Sequence, residues 1–452
     1  TDQEMQKAIN SATDFLERLC KQATFKAFGR TVPGKAVVAS AAVVTATAAA
    51  SFLYLGLRNA PLPLGLLKQK RNLHYLAHPL DVIALGKFYF TSKLPEIPKD
   101  LDADWTWCYQ KLVFTSRSFA AVILELSEEL RGAVALFYLV LRALDTIEDD
   151  MKPEIAVKKE QLIAFHTHLF EPGYNLKGFG DKPHEIDLLE KYDKLIRAFG
   201  QLKPKYQEII ADICKRMGEG MAYFLDHGVD TIEDWELYCH YVAGLVGYGL
   251  SSLFGASGLE SSKYGTKEME PISNSMGLFL QKTNILRDYL EDVSEEPPRL
   301  FWPRSVWSLY AKEVKDFTLY ENRGNALACL NHLITDALKH AEDCLNYLRD
   351  LQDPTVFAFC AIPQVMAIST MSLCYNNHDV FLYEVKISKG EAVRLILSSK
   401  DYKSVVNCFR AYTNGLLRRV PKQDPSAELT TARLNALLAK CDEELTRIAA
   451  KN

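Results

Sequence analysis

Two carboxylates, a guanidinium and a phenol share one face of an apolar stretch near residue 140. In the segment FYLVLRALDTIEDDMKP, the polar residues at i, i+4, i+7 and i+11 are Tyr138, Arg142, Asp145 and Asp149. Side chains at this spacing lie on the same side of an α-helix. Because most other residues are apolar and Pro153 stops the pattern, the segment predicts a helix with one polar stripe.

A second stretch repeats this arrangement. In SMGLFLQKTNILRDYLEDVSEEPP, the polar residues at i, i+3, i+7 and i+11 are Gln281, Asn284, Asp288 and Asp292, and Pro297 follows them. This spacing again predicts one polar stripe on an otherwise apolar helix that ends before the proline.

Paired carboxylates on apolar helices indicate a bound cation. Like charges at i, i+4 destabilise a helix by a few tenths of a kcal/mol, and their burial costs far more unless a cation compensates. A single D-x-x-x-D is best explained as a solvated helix face, but two matching stripes favour metal binding. The hard oxygen donors and an Arg beside each pair point to Mg²⁺ shared with a phosphate-bearing ligand, and zinc is not indicated.

A third element could contribute to phosphate binding. In FTSRSFAAVI, Ser116, Arg117 and Ser118 precede an apolar run. Free N–H groups at a helix N-terminus, with hydroxyls and an Arg, can hold a diphosphate. Alone this signal is weak, since a serine before an apolar run is usually only a helix cap.

Composition excludes several classes of protein. The 452 residues include 53 Lys+Arg and 57 Asp+Glu and are 48% hydrophobic, which is typical of a folded protein and not of a disordered chain. A net charge of -4 argues against nucleic-acid binding. The ten cysteines include no C-x-x-C pair, so we expect mostly buried thiols in a reducing compartment.

Helical periodicity dominates after the first hundred residues, and we expect an all-α domain over 105–452. Residues 1–104 are interpreted as an N-terminal extension that ends in a Pro-rich linker. Within it, 36–57 contains no charge and is long enough to span a bilayer, although its many alanines make it only marginally apolar. A buried Ala-rich helix or a loose leader remains the alternative.

Five segments together resemble squalene synthase, the farnesyl-diphosphate farnesyltransferase family of sterol biosynthesis. They are TSRSFAAVI, FYLVLRALDTIEDDM, YCHYVAGLVG, SMGLFLQKTNILRDYLED and FCAIPQVMAI, in family order between about residues 108 and 390. The resemblance implies a single all-α isoprenoid-synthase domain with a central apolar cavity between the two Asp-rich helices. It also implies that two farnesyl diphosphates condense to presqualene diphosphate, which NADPH reduces to squalene.

The resemblance assigns roles to individual residues. Asp145, Asp149, Asp288 and Asp292 would bind Mg²⁺, and Tyr241 is similar to the family tyrosine proposed to take the proton that closes the cyclopropane ring. The residues at diphosphate-binding positions are Ser116, Arg117, Ser118, Arg142 and Arg287. Tyr138 and Gln281 belong to the expected substrate site, whose apolar candidates are Phe119, Phe137, Leu280, Phe357, Phe359, Cys360 and Pro363.

No Rossmann fingerprint opens a helix here, since GEG at 218–220 lies inside a helical stretch. The resemblance instead places NADPH near Asn284, Arg299, Lys386 and Lys389. The chain departs from the usual family pattern in having Ser388 and Ser252 where Arg is common. The loss of one cationic contact to a phosphate would weaken NADPH binding, so these positions bear on the reductive half-reaction more than on the condensation.

The family match also implies a monomer at the endoplasmic reticulum membrane with its catalytic domain facing the cytosol. The chain ends in CDEELTRIAAKN without the hydrophobic anchor usual in the family, so attachment could come from 36–57 or from a segment beyond this end. Two alternative functions remain. One is a head-to-head synthase that stops at presqualene diphosphate or makes dehydrosqualene or phytoene, and the other is a catalytically silent prenyl-diphosphate-binding scaffold.

Overall fold

The computed structural model describes residues 96–451 except 296, 297 and 300, together with 24–27, 30–33 and Asp81. The side chains of Arg117, Ser118 and Lys451 lie outside this description, as does the predicted membrane segment 36–57. The chain divides into two compact units. The first comprises Thr1–Thr91 with Ser388–Arg394, and the second comprises Ser92–Ile387 with Leu395–Asn452.

In the first unit, two short strands pair antiparallel. They are β1 (Thr24–Ala27) and β2 (Arg30–Pro33). The sequence analysis did not predict these strands, because four residues are too few to show an alternating pattern.

The second unit is helical in its described part, which confirms the predicted all-α class. In chain order, the α-helices of the described residues are α1 (Ala103–Thr115), α2 (Arg117–Leu124), α3 (Glu128–Asp149), α4 (Ile155–His168), α5 (Pro183–Glu190), α6 (Tyr192–Phe199), α7 (Pro204–Phe224), α8 (Ile232–Cys239), α9 (Leu245–Ser257), α10 (Glu270–Arg287), α11 (Tyr289–Ser294), α12 (Arg304–Trp307), α13 (Arg323–Ala337), α14 (Ala341–Arg349), α15 (Pro354–Cys374), α16 (Lys389–Ser398), α17 (Tyr402–Leu417) and α18 (Ala427–Lys451). A π-helical segment, His240–Gly244, joins α8 to α9, and short 3₁₀ turns occupy Ser262–Gly265, Val314–Thr318, Tyr320–Asn322, Leu338–His340 and His378–Phe381.

Helix α3 carries the first acidic stripe. Its buried residues recur at three and four spacing, among them Leu136, Val140 and Leu144, so its apolar face enters the core. Glu128 and Glu129 in the first turn complement the positive end of the helix dipole.

Helix α10 lies at the centre of the second unit. It packs against the π-helical segment and against α9, α13, α14 and α15. Pro271 lies in its first turn, where a missing N–H costs no hydrogen bond. The predicted uninterrupted second helix is wrong in one detail, since regular α-helix ends at Arg287 and resumes at Tyr289.

The break at Asp288 is nevertheless small. The N–H of Asp288 still donates to the carbonyl of Asn284 at 2.9 Å, and the N–H of Asp292 donates to Asp288 at 3.0 Å. The i to i−4 bonding therefore continues across the junction, and the predicted polar stripe keeps its register.

Helix α15 is the one described helix that is long and apolar enough to cross a bilayer, and most of it is buried inside the protein. Pro363 lies in its interior and cannot donate to the carbonyl of Phe359. Since α15 also lines the cavity described below, we interpret it as a core helix.

Candidate active site

An apolar cavity of about 270 Å³ lies among α2, α3, α9, α10 and α15. Aromatic and aliphatic side chains make most of its wall, and a few polar groups come from the two stripes. The lining residues are Phe119, Ile123, Val134, Phe137, Tyr138, Leu141, Arg142, Asp145, Met217, Val242, Ala243, Val246, Gly247, Leu250, Phe254, Met276, Gly277, Leu280, Gln281, Asn284, Tyr347, Phe359, Cys360, Pro363 and Gln364.

The first stripe supplies three polar lining residues from α3. Arg142 Nη1 lies 3.7 Å from Asp145 Oδ2, and Arg142 Nη2 donates to the Tyr138 hydroxyl at 3.5 Å. The same guanidinium lies 5.8 Å from the centre of the Tyr138 ring, a cation–π distance. Asp149, at the last turn of α3, keeps 49% of its side chain exposed. The stripe therefore runs from the cavity wall towards solvent.

The second stripe enters the same cavity from α10. Gln281 and Asn284 line it. One turn further on, Arg287 Nε donates to Asp288 Oδ1 at 2.7 Å, so this carboxylate already has a cationic partner. Asp292 follows on α11 and continues the stripe.

Arg299 joins the ends of the two stripes. Its Nη1 lies 2.6 Å from Asp149 Oδ1, and its backbone N–H donates to the carbonyl of Asp292 at 3.0 Å. The guanidinium also lies 5.3 Å from the ring centre of Phe301. The two acidic elements, 143 residues apart in sequence from Asp149 to Asp292, therefore meet at one side chain.

Glu148 is a site residue that was not predicted from the sequence. Its side chain is only 10% exposed and its Oε2 lies 3.8 Å from Arg299 Nη2. Because Glu148 lies three residues after Asp145, it can reach the same helix surface, and this spacing was the signal that could have found it. The first acidic helix thus brings three carboxylates to the site, with Asp149 as the third.

Protonation of these carboxylates is perturbed by their surroundings. Burial raises the pKa of Asp145 to about 6, although Arg142 opposes the shift. Burial and the neighbouring Asp288 raise the pKa of Asp292 to about 7. Burial and Asp149 also raise the pKa of Glu148. Crowded carboxylates with raised pKa values are typical of a site that a cation completes.

The donor set fits Mg²⁺, which prefers carboxylate oxygens to nitrogen or sulfur. Among the residues that the structure describes, no three His, Cys, Asp or Glu side chains are arranged to hold a metal by themselves. This finding is compatible with Mg²⁺, because that ion commonly takes one or two protein carboxylates and completes its octahedron with water and phosphate oxygens.

Tyr241 lies in the π-helical segment His240–Gly244, beside the cavity and not among its lining residues; its neighbours Val242 and Ala243 do line it. π-Helical turns are rare and frequent at functional sites. The Tyr241 ring rests on Gly220 of α7, where an added Cβ would lie 2.6 Å from Tyr241 Cβ and closer still to the ring. GEG at 218–220 is therefore a packing feature.

The other expected substrate residues are placed as follows. Ser116 caps α2, and its Oγ accepts the N–H of Phe119 at 3.3 Å. The side chains expected from Arg117 and Ser118 lie outside the described residues. Phe357 is buried in α15 and is not among the residues that line the cavity. The remaining apolar candidates line it, namely Phe119, Phe137, Leu280, Phe359, Cys360 and Pro363.

The residues expected near NADPH differ in setting. Asn284 lines the cavity, Arg299 is engaged by carboxylates, and Lys386 is exposed and paired with Glu384. Lys389 is exposed at the start of α16.

Ser388, the departure from the family pattern, has a structural role. Its Oγ accepts the Glu391 N–H at 2.9 Å and donates to Asp81 Oδ2 at 2.7 Å. This serine therefore caps α16, which a longer arginine side chain could not do in the same way.

Comparisons with known proteins agree with this geometry. The squalene/phytoene synthase family matches residues 113–391. The chain is 46% identical to squalene synthase 1 of Panax ginseng over 82% of its length and 88% of that protein, and 46% identical to squalene synthase of Dictyostelium discoideum over 82% and 89%. A solved structure of TcSQS with the ligand E5700 superposes with a TM-score of 0.74 at 44% identity, covering 76% of this chain and 99% of that one.

The matched region contains both acidic stripes, the π-helical segment and Arg299. Identity near 46% over most of both chains is far above what a shared fold alone requires. The chain therefore belongs to the squalene/phytoene synthase family, as its motifs predicted.

Proposed function

We propose that this chain is a Mg²⁺- and NADPH-dependent enzyme that condenses two farnesyl diphosphates head-to-head to presqualene diphosphate and reduces this intermediate to squalene. The observation that carries the proposal is the meeting of two acidic stripes at Arg299 beside an apolar cavity. The names of its relatives support the same reaction.

The condensation begins with the departure of a diphosphate. Mg²⁺ held by Asp145, Asp149, Asp288 and Asp292 would supply positive charge that stabilises the leaving group. Glu148 adds a further carboxylate to this set. The guanidinium groups that would release their carboxylates and bind the diphosphate are those of Arg142, Arg287 and Arg299, with Arg117 and the hydroxyls of Ser116 and Ser118 as further contacts.

The cavity holds the hydrocarbon chains and excludes water. Tyr138 of the first stripe and Gln281 and Asn284 of the second are polar side chains of its wall, whereas Phe137 and Leu280 belong to the apolar wall. A dry, apolar wall protects reactive carbocations from attack by water. The chains would therefore extend away from the carboxylates into the helical core.

Tyr241 is the candidate for the proton transfer that closes the cyclopropane ring. Its position on the π-helical segment, next to two lining residues, supports this role. In a Tyr241→Phe variant, presqualene diphosphate formation should fall by a factor of about 10² or more, the usual contribution of general acid–base catalysis.

NADPH would supply the hydride for the second half-reaction. Lys386 and Lys389 are the cationic residues that would bind its phosphates, and Asn284 and Arg299 are the candidates near its reactive part. The alternative enzyme, which stops before reduction, is favoured only by Ser388 and Ser252. Because Ser388 caps a helix, its presence has an explanation other than lost reduction.

A water-insoluble product and a lipid-like substrate support a location at a membrane. The family relationship supports the endoplasmic reticulum membrane, with the catalytic domain facing the cytosol and the protein a monomer. The segment that would attach the chain, 36–57, lies outside the described residues.

Product analysis tests the proposed function directly. The purified chain is incubated with radiolabelled farnesyl diphosphate and Mg²⁺, with and without NADPH, and the products are separated by chromatography. Squalene only with NADPH supports both half-reactions. Presqualene diphosphate in both tubes would assign the chain to the alternative enzyme, and no turnover with an intact fold would favour a scaffold.

A further inference from the structure

A buried ammonium group lies on α10 behind the second acidic stripe. Lys282 is 0% exposed and forms an ion pair with Glu236 of α8. Its Nζ also lies 2.6 Å from Asp336 Oδ2 of α13 and 4.5 Å from the centre of the Trp235 ring. One side chain of α10 therefore contacts two other helices, α8 and α13, through charge and an aromatic face.

Two further groups complete what we call the Lys282 cluster, consisting of Lys282, Glu236, Asp336, Lys339 and His340. Lys339 Nζ lies 2.7 Å from Glu236 Oε1 and 2.9 Å from Asp336 Oδ1. His340 Nε2 lies 3.4 Å from Glu236 Oε1. With two ammonium groups and two carboxylates, the cluster is electrically balanced when His340 is neutral.

Such a cluster is a costly way to stabilise a fold. Removing an ammonium from water costs several kcal/mol, and well-packed apolar residues of similar volume are often as stable or more stable. A buried ion pair differs from apolar packing in its directional bonds, which fix the helices in one arrangement. The contribution of the cluster therefore lies in the helices that it holds in place.

The cluster holds the two elements that carry the catalytic groups. Lys282 follows Gln281 and precedes Asn284 on α10, and both of those side chains line the cavity. Successive residues of an α-helix are about 100° apart around its axis, so the side chain of Lys282 leaves α10 on a different side from that of Gln281. Its ion pairs therefore hold α10 in one orientation about its own axis. On the other element, Glu236 lies five residues before Tyr241, in the helix that runs directly into the π-helical segment.

These elements also touch at their backbones. A Cβ on Gly277 of α10 would lie 2.8 Å from the backbone N of Gly244 in the π-helical segment. Since no side chain separates them here, a shift of α10 is passed directly to the segment that bears Tyr241.

We propose that Lys282, through Glu236 and Asp336, is a positioning residue that sets the second acidic stripe and Tyr241 at their working separation. The role extends the proposed function to residues that never touch the substrate. Removal of the cluster should therefore slow the chemical step more than it weakens substrate binding.

A neutral variant tests this role. Lys282→Met and Lys339→Met are combined with Glu236→Gln and Asp336→Asn, so that no charged group of the cluster is left without its partner. We expect the kcat for presqualene diphosphate formation to fall by about tenfold or more, as misplacement of catalytic groups produces, with little change in KM for farnesyl diphosphate. Glu236→Gln alone keeps the side-chain shape and should lower kcat in the same direction.

Glu444→Gln is the matched control. Glu444 is 1% exposed and is paired with Lys440 at 2.9 Å and Arg349 at 3.3 Å, so it belongs to another buried ion cluster. Its variant should lower the melting temperature and leave kcat unchanged. A Glu444→Gln enzyme that loses kcat as strongly as the cluster variants would show that general destabilisation explains both.

Hydrogen exchange gives a readout independent of activity. The amides of residues 240–247 should exchange faster in the neutral variant and in Glu236→Gln than in the wild type, and Glu444→Gln should leave them protected. Unchanged exchange or a wild-type kcat in either folded cluster variant would overturn the proposal. If the wild type itself forms no product, the proposed function fails, whereas the exchange data still decide whether the cluster holds this segment.

Discussion

Replacing Gly220 by alanine should displace the ring of Tyr241. An added Cβ would lie 2.6 Å from Tyr241 Cβ and closer to the ring, whereas ordinary van der Waals contacts are 3.4–4 Å. The ring must therefore move by about 1 Å, and misplacement of that size can reduce turnover by about 10²-fold. Overpacking of this kind also costs about 1–3 kcal/mol of the free energy of unfolding.

The assay is presqualene diphosphate formation without NADPH, measured beside urea unfolding of the same protein. Gly415→Ala is the control, because an added Cβ there meets nothing within 4 Å and alanine favours helix α17 by about 0.5–1 kcal/mol. In a Tyr241→Phe background, Gly220→Ala should have little further effect on turnover. A folded Gly220→Ala enzyme with wild-type turnover would refute the assigned placement of the tyrosine.

Three further outcomes are expected. Asp149→Asn and Asp288→Asn should each abolish turnover by removing a Mg²⁺ ligand, measured by product formation across a Mg²⁺ titration; near-normal activity in both contradicts the metal assignment. Burial raises the pKa of Asp292 to about 7, so the native state keeps a proton that the unfolded chain loses near pH 4. The free energy of unfolding should therefore fall as the pH rises from about 4 to about 7. Asp292→Asn should flatten that slope in Mg²⁺-free urea unfolding, and an unchanged slope argues against the shift. Ser388→Ala should cost about 1 kcal/mol by leaving the Glu391 N–H uncapped, and equal stability in urea would exclude the capping role.

Periodicity was sufficient to predict the helices that carry the stripes. The apolar spacing around Leu136 and Leu144 determines which face of α3 is buried, and that fixes the side on which Arg142 and Asp145 lie. The class of fold and the family followed from local patterns of this kind, since each polar stripe is a property of one continuous segment.

Features that depend on packing could not be predicted in the same way. The π-helical segment arises where α8 and α9 pack onto α10, and nothing in HYVAG distinguishes it from an α-helix. Gly220 is needed only because the ring of Tyr241, from a distant part of the chain, packs against it in the folded protein.

The burial of charged side chains could not be predicted from the sequence either. Lys282 resembles an ordinary solvated lysine in the sequence, and only its partners on two distant helices explain its burial. Glu148 lies off the strict i, i+4, i+7, i+11 stripe, and only its contact with Arg299 shows that it joins Asp145 and Asp149 at the site.

Pyrophosphate binding measured by titration calorimetry, with and without Mg²⁺, tests most directly whether the two acidic stripes capture a diphosphate through shared metal. The carboxylates of Asp145, Asp149 and Asp292 repel a polyanion unless a cation lies between them. We expect tight pyrophosphate binding with Mg²⁺ and none without it, and loss of the Mg²⁺-dependent binding in Asp149→Asn. Equal pyrophosphate affinity in the presence and absence of Mg²⁺ would contradict this expectation.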